Sequence, residues 1–440
     1  MWDSFDGKCV LITGGSGFLG TAVVYRLVTR TSVSLIYILC RGGRKALYTR
    51  WKKSLPDQFA DKLCRSNRLL VLDGNIIKPN MGLSDSQVDI VREDVEIVIH
   101  AASSINLTSN LSSLAPTVIK ATEIVAQFAL ACSFLTRFVY VSSAYANAHL
   151  DPRSESIDVA VQEKIYPPSQ QDTALTEWEE VQKTGTSSVY DTEDYPWSYA
   201  YAKHLTERLL FRMFNDHDVT ECLLIVRPSI IGPAQKCPYP GYCVPCSTPT
   251  TSAAVSFLLS ADSEIRTTTR CPDPDAEVHI DEVPVDVVAD RLLSHLAVGT
   301  TGCVHAVSGK RARTNYLEWW QPIMQLRRIP WELKRVWIYE NWKTPNQHPI
   351  SRLWVALGSS FCFSEDRTIA ISEELAEHGD CSDLQLFTTA HMGRQLLERT
   401  QQLRSVMDQI AAHSPRDAEI IQAYYQDFGR EGVERLNARL

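Results

Sequence analysis

The chain has 440 residues, of which 22% are charged and 44% hydrophobic, the make-up of a packed globular protein rather than a disordered one. At roughly 150 residues per domain, this length allows two or three domains. Acidic side chains outnumber basic ones 52 to 44 and the net charge is −8. A general nucleic-acid partner, which requires a basic surface, is therefore excluded.

Apolar stretches stay well short of the ~20 residues that cross a bilayer. A late one, Leu353 to Leu357, is flanked by Arg352 and by Gly358-Ser359-Ser360. Met1-Trp2-Asp3-Ser4-Phe5-Asp6 lacks the positive segment and apolar core of a secretory signal. A cytoplasmic location with mostly reduced cysteines is expected.

In chain order, the predicted strands are Cys9 to Ile12, Leu35 to Leu39, Leu69 to Leu72, Ile97 to Ile99, Phe138 to Val141 and Leu223 to Val226. They are continuous and rich in β-branched residues, as strands buried on both faces should be. Amphipathic stretches such as Leu19 to Val28 and Thr122 to Leu130 separate them. Strand alternating with helix predicts an α/β fold, a doubly wound parallel sheet. Residues 1–233 are assigned to this domain, and segment 276–308, with the apolar run Val283 to Ala297, is expected to return to it.

The first strand runs into Thr13-Gly14-Gly15-Ser16-Gly17-Phe18-Leu19-Gly20, which opens the first helix. A strand–glycine loop–helix in this order is the dinucleotide fingerprint. Gly14 allows the tight turn, Gly17 lets the backbone approach a pyrophosphate, and Gly20 lets helix and strand pack closely. The helix N-terminus offers N–H groups to the negative charge. After the second strand comes Arg41-Gly42-Gly43-Arg44-Lys45. An NAD site usually carries an acidic residue here for the ribose 2′-hydroxyl, whereas a cation suits a 2′-phosphate, so NADPH is the expected cofactor.

The fifth strand leads into Ser142-Ser143, and later Tyr199-Ala200-Tyr201-Ala202-Lys203 opens a helical segment reaching Leu210. A phenol one turn from an ammonium can give a proton to a developing alkoxide, and a strand-end serine hydroxyl can hold the same oxygen. The nearby cation and the charge of the nicotinamide are together expected to lower the phenol from its usual pKa near 10. Tyr48 with Lys52 and Tyr339 with Lys343 repeat the spacing, but neither follows a dinucleotide loop and a strand-end Ser-Ser; both read as surface helix pairs.

Beyond Pro233 the texture changes. Residues 234–275 read as loops with one helix near Ala253 to Leu259, and the last 130 residues read as mostly helical, with Met392, Leu396, Leu403, Met407 and Ile410 at helical spacing before a break at His413-Ser414. Segments 234–275 and 309–440 form the expected substrate region. Cys243-Val244-Pro245-Cys246, near Cys237 and followed by Cys271, has no second close pair, so free thiols rather than a metal site are expected. Six of the ten tryptophans lie between residues 319 and 354, either as the aromatic core of a small helical domain or as a greasy substrate channel or membrane-resting face.

With these motifs in place, the chain resembles the extended short-chain dehydrogenase/reductases and, within them, the male-sterility-type fatty acyl-CoA reductases. The resemblance covers about residues 6–310. Besides the glycine loop it rests on Tyr37 to Arg41, Gly74-Asn75-Ile76 with Pro79 to Ser84, Val98-Ile99-His100-Ala101-Ala102, Val141 to Asn147, Glu163 to Pro167, Arg227 to Pro233, Pro238 to Tyr242 and Pro284-Val285-Asp286. It implies that Asn75, Ile76, Ala101, Ala102, Lys203, Pro228 and Ser229 join the loop and Arg41 in holding the cofactor. It also implies a catalytic set of Ser143, Tyr199 and Lys203. Asn75 replaces the family's usual aspartate, and Val118 falls where an asparagine that helps hold a proton-relay water is expected.

The implied activity is NADPH-dependent reduction of an acyl thioester, fatty acyl-CoA-like or carrier-bound, to an aldehyde or alcohol. An acyl-carrier protein and a peripheral membrane contact remain open as partners. The alternatives are oxidoreduction of a free carbonyl or hydroxyl on a small metabolite or sterol, and a non-catalytic cofactor binder.

Overall fold

A computed structural model describes residues 1–150, 160–167, 173–244, 246–328, 333–377, 383–389, 396–413 and 415–425. Its centre is a seven-stranded, wholly parallel sheet. The strands are β1 (Cys9–Thr13), β2 (Leu35–Cys40), β3 (Leu69–Asp73), β4 (Ile97–His100), β5 (Arg137–Val141), β6 (Leu223–Pro228) and a last strand, Gly302–Ala306. Their spatial order is β3-β2-β1-β4-β5-β6 followed by Gly302–Ala306. The order reverses between β1 and β4, which opens a crevice beyond their C-terminal ends.

Alternate residues of each strand enter two different cores. Val10, Ile12, Ile36, Ile38, Ile99, Val139 and Val226 face one way, toward α1 (Phe18–Arg30), α2 (Gly43–Ser54) and the helix Val285–Ala297. Leu11, Tyr37, Val98, Phe138, Tyr140 and Ile225 face the other way, toward the helices Asp85–Asp94, Ala121–Leu130 and Ser198–Asp216. Both sets are apolar, and that is why the strands read as continuous apolar runs.

The first layer is tied by a buried ion pair. Arg26 of α1 donates Nε to Asp290 Oδ1 at 2.7 Å and Nη2 to Oδ2 at 2.6 Å, joining α1 to Val285–Ala297. Asp286, at the start of that helix, accepts from the backbone N–H groups of Gln235, Lys236 and Cys237 at 3.0, 2.8 and 3.0 Å. This contact gives the Pro284-Val285-Asp286 motif its physical role: its carboxylate fixes the loop that follows Pro233.

The C-terminal region has its own core, in which helices Pro249–Leu258, Tyr316–Gln325 and Leu396–His413 meet. Trp319 and Trp320 are buried there against Phe257, at ring distances of 6.2 and 5.3 Å. Trp331, Met392 and Ser414 lie outside the described residues. The region is less uniformly helical than its sequence suggests. Strand Glu264–Thr268, within the stretch read as loops, pairs in parallel with Lys334–Ile338. Each partner is too short and too mixed in polarity to signal alone, and the ladder forms only when packing on the helices buries it. Among the described residues no helix is long and apolar enough to cross a membrane.

Truncating one member of a buried ion pair leaves the other charge uncompensated, a loss of about 3–5 kcal/mol. Arg26→Ala should lower the unfolding free energy by that amount in urea titration, with an unchanged m-value.

Candidate active site

The glycine turn after β1 is fixed by close backbone packing. Gly14 has φ +80°, and a Cβ there would lie 2.6 Å from the Ala102 nitrogen and 2.7 Å from the Ala101 carbonyl carbon. A Cβ on Gly20 would come within 2.1 Å of the Gly14 carbonyl oxygen, so any side chain would push α1 off the turn. Gly17, by contrast, is exposed, and a Cβ there would meet only the Gly14 oxygen, at 3.2 Å. Gly17 also caps α1 without a side-chain bond, and the first turn carries no acidic residue, so the leading N–H groups face outward with no competing anion. Phe18 and Leu19 point back into the core. Behind the turn, Thr13 Oγ1 lies 2.6 Å from His100 Nδ1 and accepts from Ala102 N at 3.4 Å. The cradle fits a dinucleotide pyrophosphate: glycines where packing or approach demands them, and free helical donors at the opening.

At the end of β2, Arg41 is exposed, and Gly42 N donates to Asp73 Oδ1 at 2.9 Å, fixing the turn between β2 and α2. Arg50 of α2 reaches back to this place. Its Nη1 donates to Ser16 Oγ at 3.1 Å and to Cys40 Sγ at 3.3 Å, so a second guanidinium stands between the glycine loop and the end of β2. Nothing in the local sequence marks Arg50 among the other cations of α2; only the packing of the helix brings it there.

Four of the expected cofactor contacts have other commitments. Asn75 Oδ1 accepts from Ile77 N at 3.3 Å, within its own turn, and Ile76 packs on the sheet core. Pro228 ends β6, and the Ser229 hydroxyl donates to buried Asp281 at 2.6 Å.

At the chemical end, Ser143 is buried just beyond β5, where its Oγ accepts from Tyr145 N at 3.2 Å, which leaves the hydroxyl proton free to donate. Tyr199 is the second residue of Ser198–Asp216 and is half-buried. One turn on, Lys203 donates to the Val141 carbonyl at 2.9 Å, which anchors the helix to the strand end two residues before Ser143. Its Nζ stands 4.6 Å from the Tyr140 ring centre and 5.9 Å from that of Tyr199. Burial pulls the Lys203 ammonium down to about 7, with Glu207 pulling the other way. Burial and the nearby Lys203 charge hold His100 down to about 3, hence neutral.

The expected lowering of the Tyr199 phenol is not found in the protein alone. Burial pushes it above its ordinary range, and no charge offsets this. The ammonium leans on the Val141 oxygen and the face of Tyr140 instead. Val118 sits in a widened, π-type turn, Pro116–Lys120, and its carbonyl accepts from Thr122 Oγ1 at 2.6 Å. The turn keeps the irregular shape common at functional sites although the residue is apolar.

The other two Tyr–Lys spacings are elsewhere. Tyr48 and Lys52 lie on α2, whereas Tyr339 is 64% exposed beyond strand Lys334–Ile338 and Lys343 covers Tyr190, so this pair is not on a helix.

An aromatic cluster adjoins the Tyr199 side. Tyr145 meets Phe361, Phe363 and Trp197 edge-on at 5.3, 5.6 and 6.2 Å, and Trp342 is buried in the same cluster. Of the tryptophan-rich segment, Trp342 reaches this cluster, while Trp319 and Trp320 belong to the C-terminal core. Phe361 and Phe363 carried no signal in the sequence beyond an apolar-polar alternation too short to assign. Cys237 and Cys243 pack on the first core and Cys271 on the C-terminal one; among the described residues no group of His, Cys, Asp or Glu is placed to hold a metal.

A glycine cradle at the switch point of a parallel sheet, with a strand-end serine and a Tyr-x-x-x-Lys helix beside it, is a Rossmann-type arrangement. The family model described as male sterility protein matches residues 12–292, and the chain belongs to that family. It is 25% identical over 303 residues to a putative fatty acyl-CoA reductase of Drosophila melanogaster, covering 66% of this chain and 55% of that protein. It is 25% identical over 375 residues to fatty acyl-CoA reductase 1 of Homo sapiens, covering 80% and 68%. In fold it is similar to the reductase domain of a nonribosomal peptide synthetase from Mycobacterium tuberculosis (TM-score 0.61, 18% identity, 92% and 93% covered). The terminal R domain of the myxalamid PKS-NRPS pathway is a further structural neighbour (TM-score 0.59, 15% identity, 92% and 91% covered).

Gly20→Ala should separate cradle from fold: the helix must shift away from the turn, so dinucleotide affinity should fall at least tenfold. Fluorescence titration with NADPH, alongside a thermal melt to confirm folding, would check this.

Proposed function

We propose that the chain is an NADPH-dependent acyl thioester reductase. The observation that carries this reading is the bond from Lys203 to the Val141 carbonyl, which places the Tyr199 helix against the strand end that bears Ser143, beside the cradle on β1. The names of its relatives support the acyl substrate.

Thr13, Gly14, Ser16, Gly17 and the opening turn of α1 with Phe18, Leu19 and Gly20 would hold the pyrophosphate. Arg41 and Arg50 would hold the 2′-phosphate, Ala101 and Ala102 would line the crevice floor, and Lys203 would reach the nicotinamide ribose. When bound, the nicotinamide supplies a hydride to the thioester carbonyl carbon. Tyr199 and Ser143 then donate hydrogen bonds to the oxygen as it gains negative charge, an interaction stronger in the transition state than in the ground state. Collapse of the alkoxide breaks the C–S bond and releases an aldehyde and a thiolate, which takes a proton from solvent. With a hydride from a second NADPH, the aldehyde would become an alcohol, taking a proton from Tyr199 that solvent replaces. The aromatic cluster around Tyr145 would shield the reacting carbon from water.

Arg41→Ala and Arg50→Ala should each weaken NADPH binding about tenfold, roughly one charge-assisted hydrogen bond, while NADH binding stays within twofold. Equal losses for both cofactors would make these arginines structural.

Tyr199→Phe should lower kcat by about 10²–10⁴ without changing NADPH affinity, as expected on removal of a proton donor. Product analysis after incubation with NADPH and acyl-CoA or carrier-bound thioesters tests the reaction itself. Turnover of free aldehydes or ketones with none on any thioester would overturn it.

A further inference from the structure

Tyr199, Lys203 and Glu207 follow one another at four-residue spacing, so they share one face of the helix Ser198–Asp216. Glu207 is buried and held at both oxygens by Arg227 of β6: Nε to Oε1 at 3.0 Å and Nη2 to Oε2 at 2.6 Å. Arg227, wholly buried, also donates Nη1 to the Lys164 carbonyl at 2.9 Å. Burial works against the Arg227 charge, but the Glu207 carboxylate outweighs it and raises the guanidinium above its ordinary range.

A buried ion pair is a poor device for stability alone, because apolar residues of the same volume often serve as well or better. The position of this one is informative. Lys203 faces neutral His100 from β4, the ring of Tyr140 from β5, and Tyr199 and Glu207 from its own helix, with Arg227 behind Glu207. Of these groups, Glu207 is the one whose negative charge favours the ammonium. Tyr140 lies between, feeling both Tyr199 and Glu207.

We propose that Glu207, locked by Arg227, is a positioning residue that keeps Lys203 charged and seated against the Val141 carbonyl, so that Tyr199 works beside a cation. This rests on the reading of Tyr199 and Lys203 as the proton-donating pair. Arg227 prevents Glu207 from turning toward Lys203 and bonding it directly, which would draw the ammonium off the strand end.

The test uses the full chain with Glu207→Gln and Arg227→Gln together, which removes both charges while leaving a polar amide at each position. With the nearer anion gone, Lys203 loses its proton more readily. The alkaline limb of the kcat/KM profile for thioester reduction should move about one pH unit lower, with activity recovering on acidification. A second reading needs no turnover. The folded Lys203 titrates at about 7, far below an unfolded lysine near 10.4, so the cofactor-free protein should gain stability as pH rises from about 7. In the double variant that rise should begin about one unit lower in thermal unfolding.

Arg227→Met, which leaves Glu207 unopposed, should move both readings the opposite way. A folded double variant whose limb and unfolding onset match the wild type, whatever its total activity, would reduce the pair to packing and overturn the proposal. If no thioester is reduced by any form but the unfolding onset moves as stated, the proposed reaction fails and the charge device stands.

Discussion

Behind the glycine turn three backbones meet with no room for a side chain. Gly14 presses on Ala101 and Ala102 at the end of β4, and Gly20 presses α1 on the Gly14 oxygen. This contact fixes β1, β4 and α1 relative to one another, and it lies where the strand order reverses. The crevice and its outward helical donors follow from it. So does the location of every group proposed for chemistry, because a parallel sheet with this switch point delivers the ends of β2, β5 and β6 to the same edge.

From that edge the two faces of the sheet take different duties. The α1 face is closed by Arg26–Asp290 and by the backbone bonds to Asp286, charges spent on holding helices and a loop in place. The opposite face carries the helix of Tyr199 and Lys203, and here a charge is buried without a carboxylate bonded to it. Burial pulls the Lys203 ammonium there down to about 7, against the opposite pull of Glu207. On the same helix, burial pushes the half-buried Tyr199 phenol above its ordinary range.

The parts legible in the sequence were those written locally. Strands buried on both faces had to be continuous apolar runs, and the glycines had to sit between a strand and a helix, so the sheet and the cradle could be read from spacing. Arg50 could not, because its role depends on how α2 lies against the loop carrying Ser16. The ladder of Glu264–Thr268 with Lys334–Ile338 joins segments distant in the chain, and each alone resembles loop composition. Proximity of Lys203 in sequence says nothing about burial, which alone sets the direction of the Tyr199 phenol in the cofactor-free protein.

The same distinction bears on where substrate choice resides. The tryptophan-rich segment divides between two cores, with Trp319 and Trp320 building the C-terminal body and Trp342 joining Phe361 and Phe363 at the Tyr145 cluster. That body is tied to the sheet domain at Glu282, whose carboxylate lies over Gly232 and accepts from Arg399 of the helix Leu396–His413 and from Thr250. A Cβ at Gly232 would lie 2.5 Å from the Glu282 carboxyl carbon, so a side chain there would push on this tie. Residues that shape the aromatic cluster thus come from segments whose placement depends on a distant polar contact. The glycine spacing of the cradle is written within one stretch of chain even though its turn packs on distant Ala101 and Ala102, whereas the aromatic cluster has no such local signature, because Tyr145, Trp197, Trp342, Phe361 and Phe363 come from separate segments.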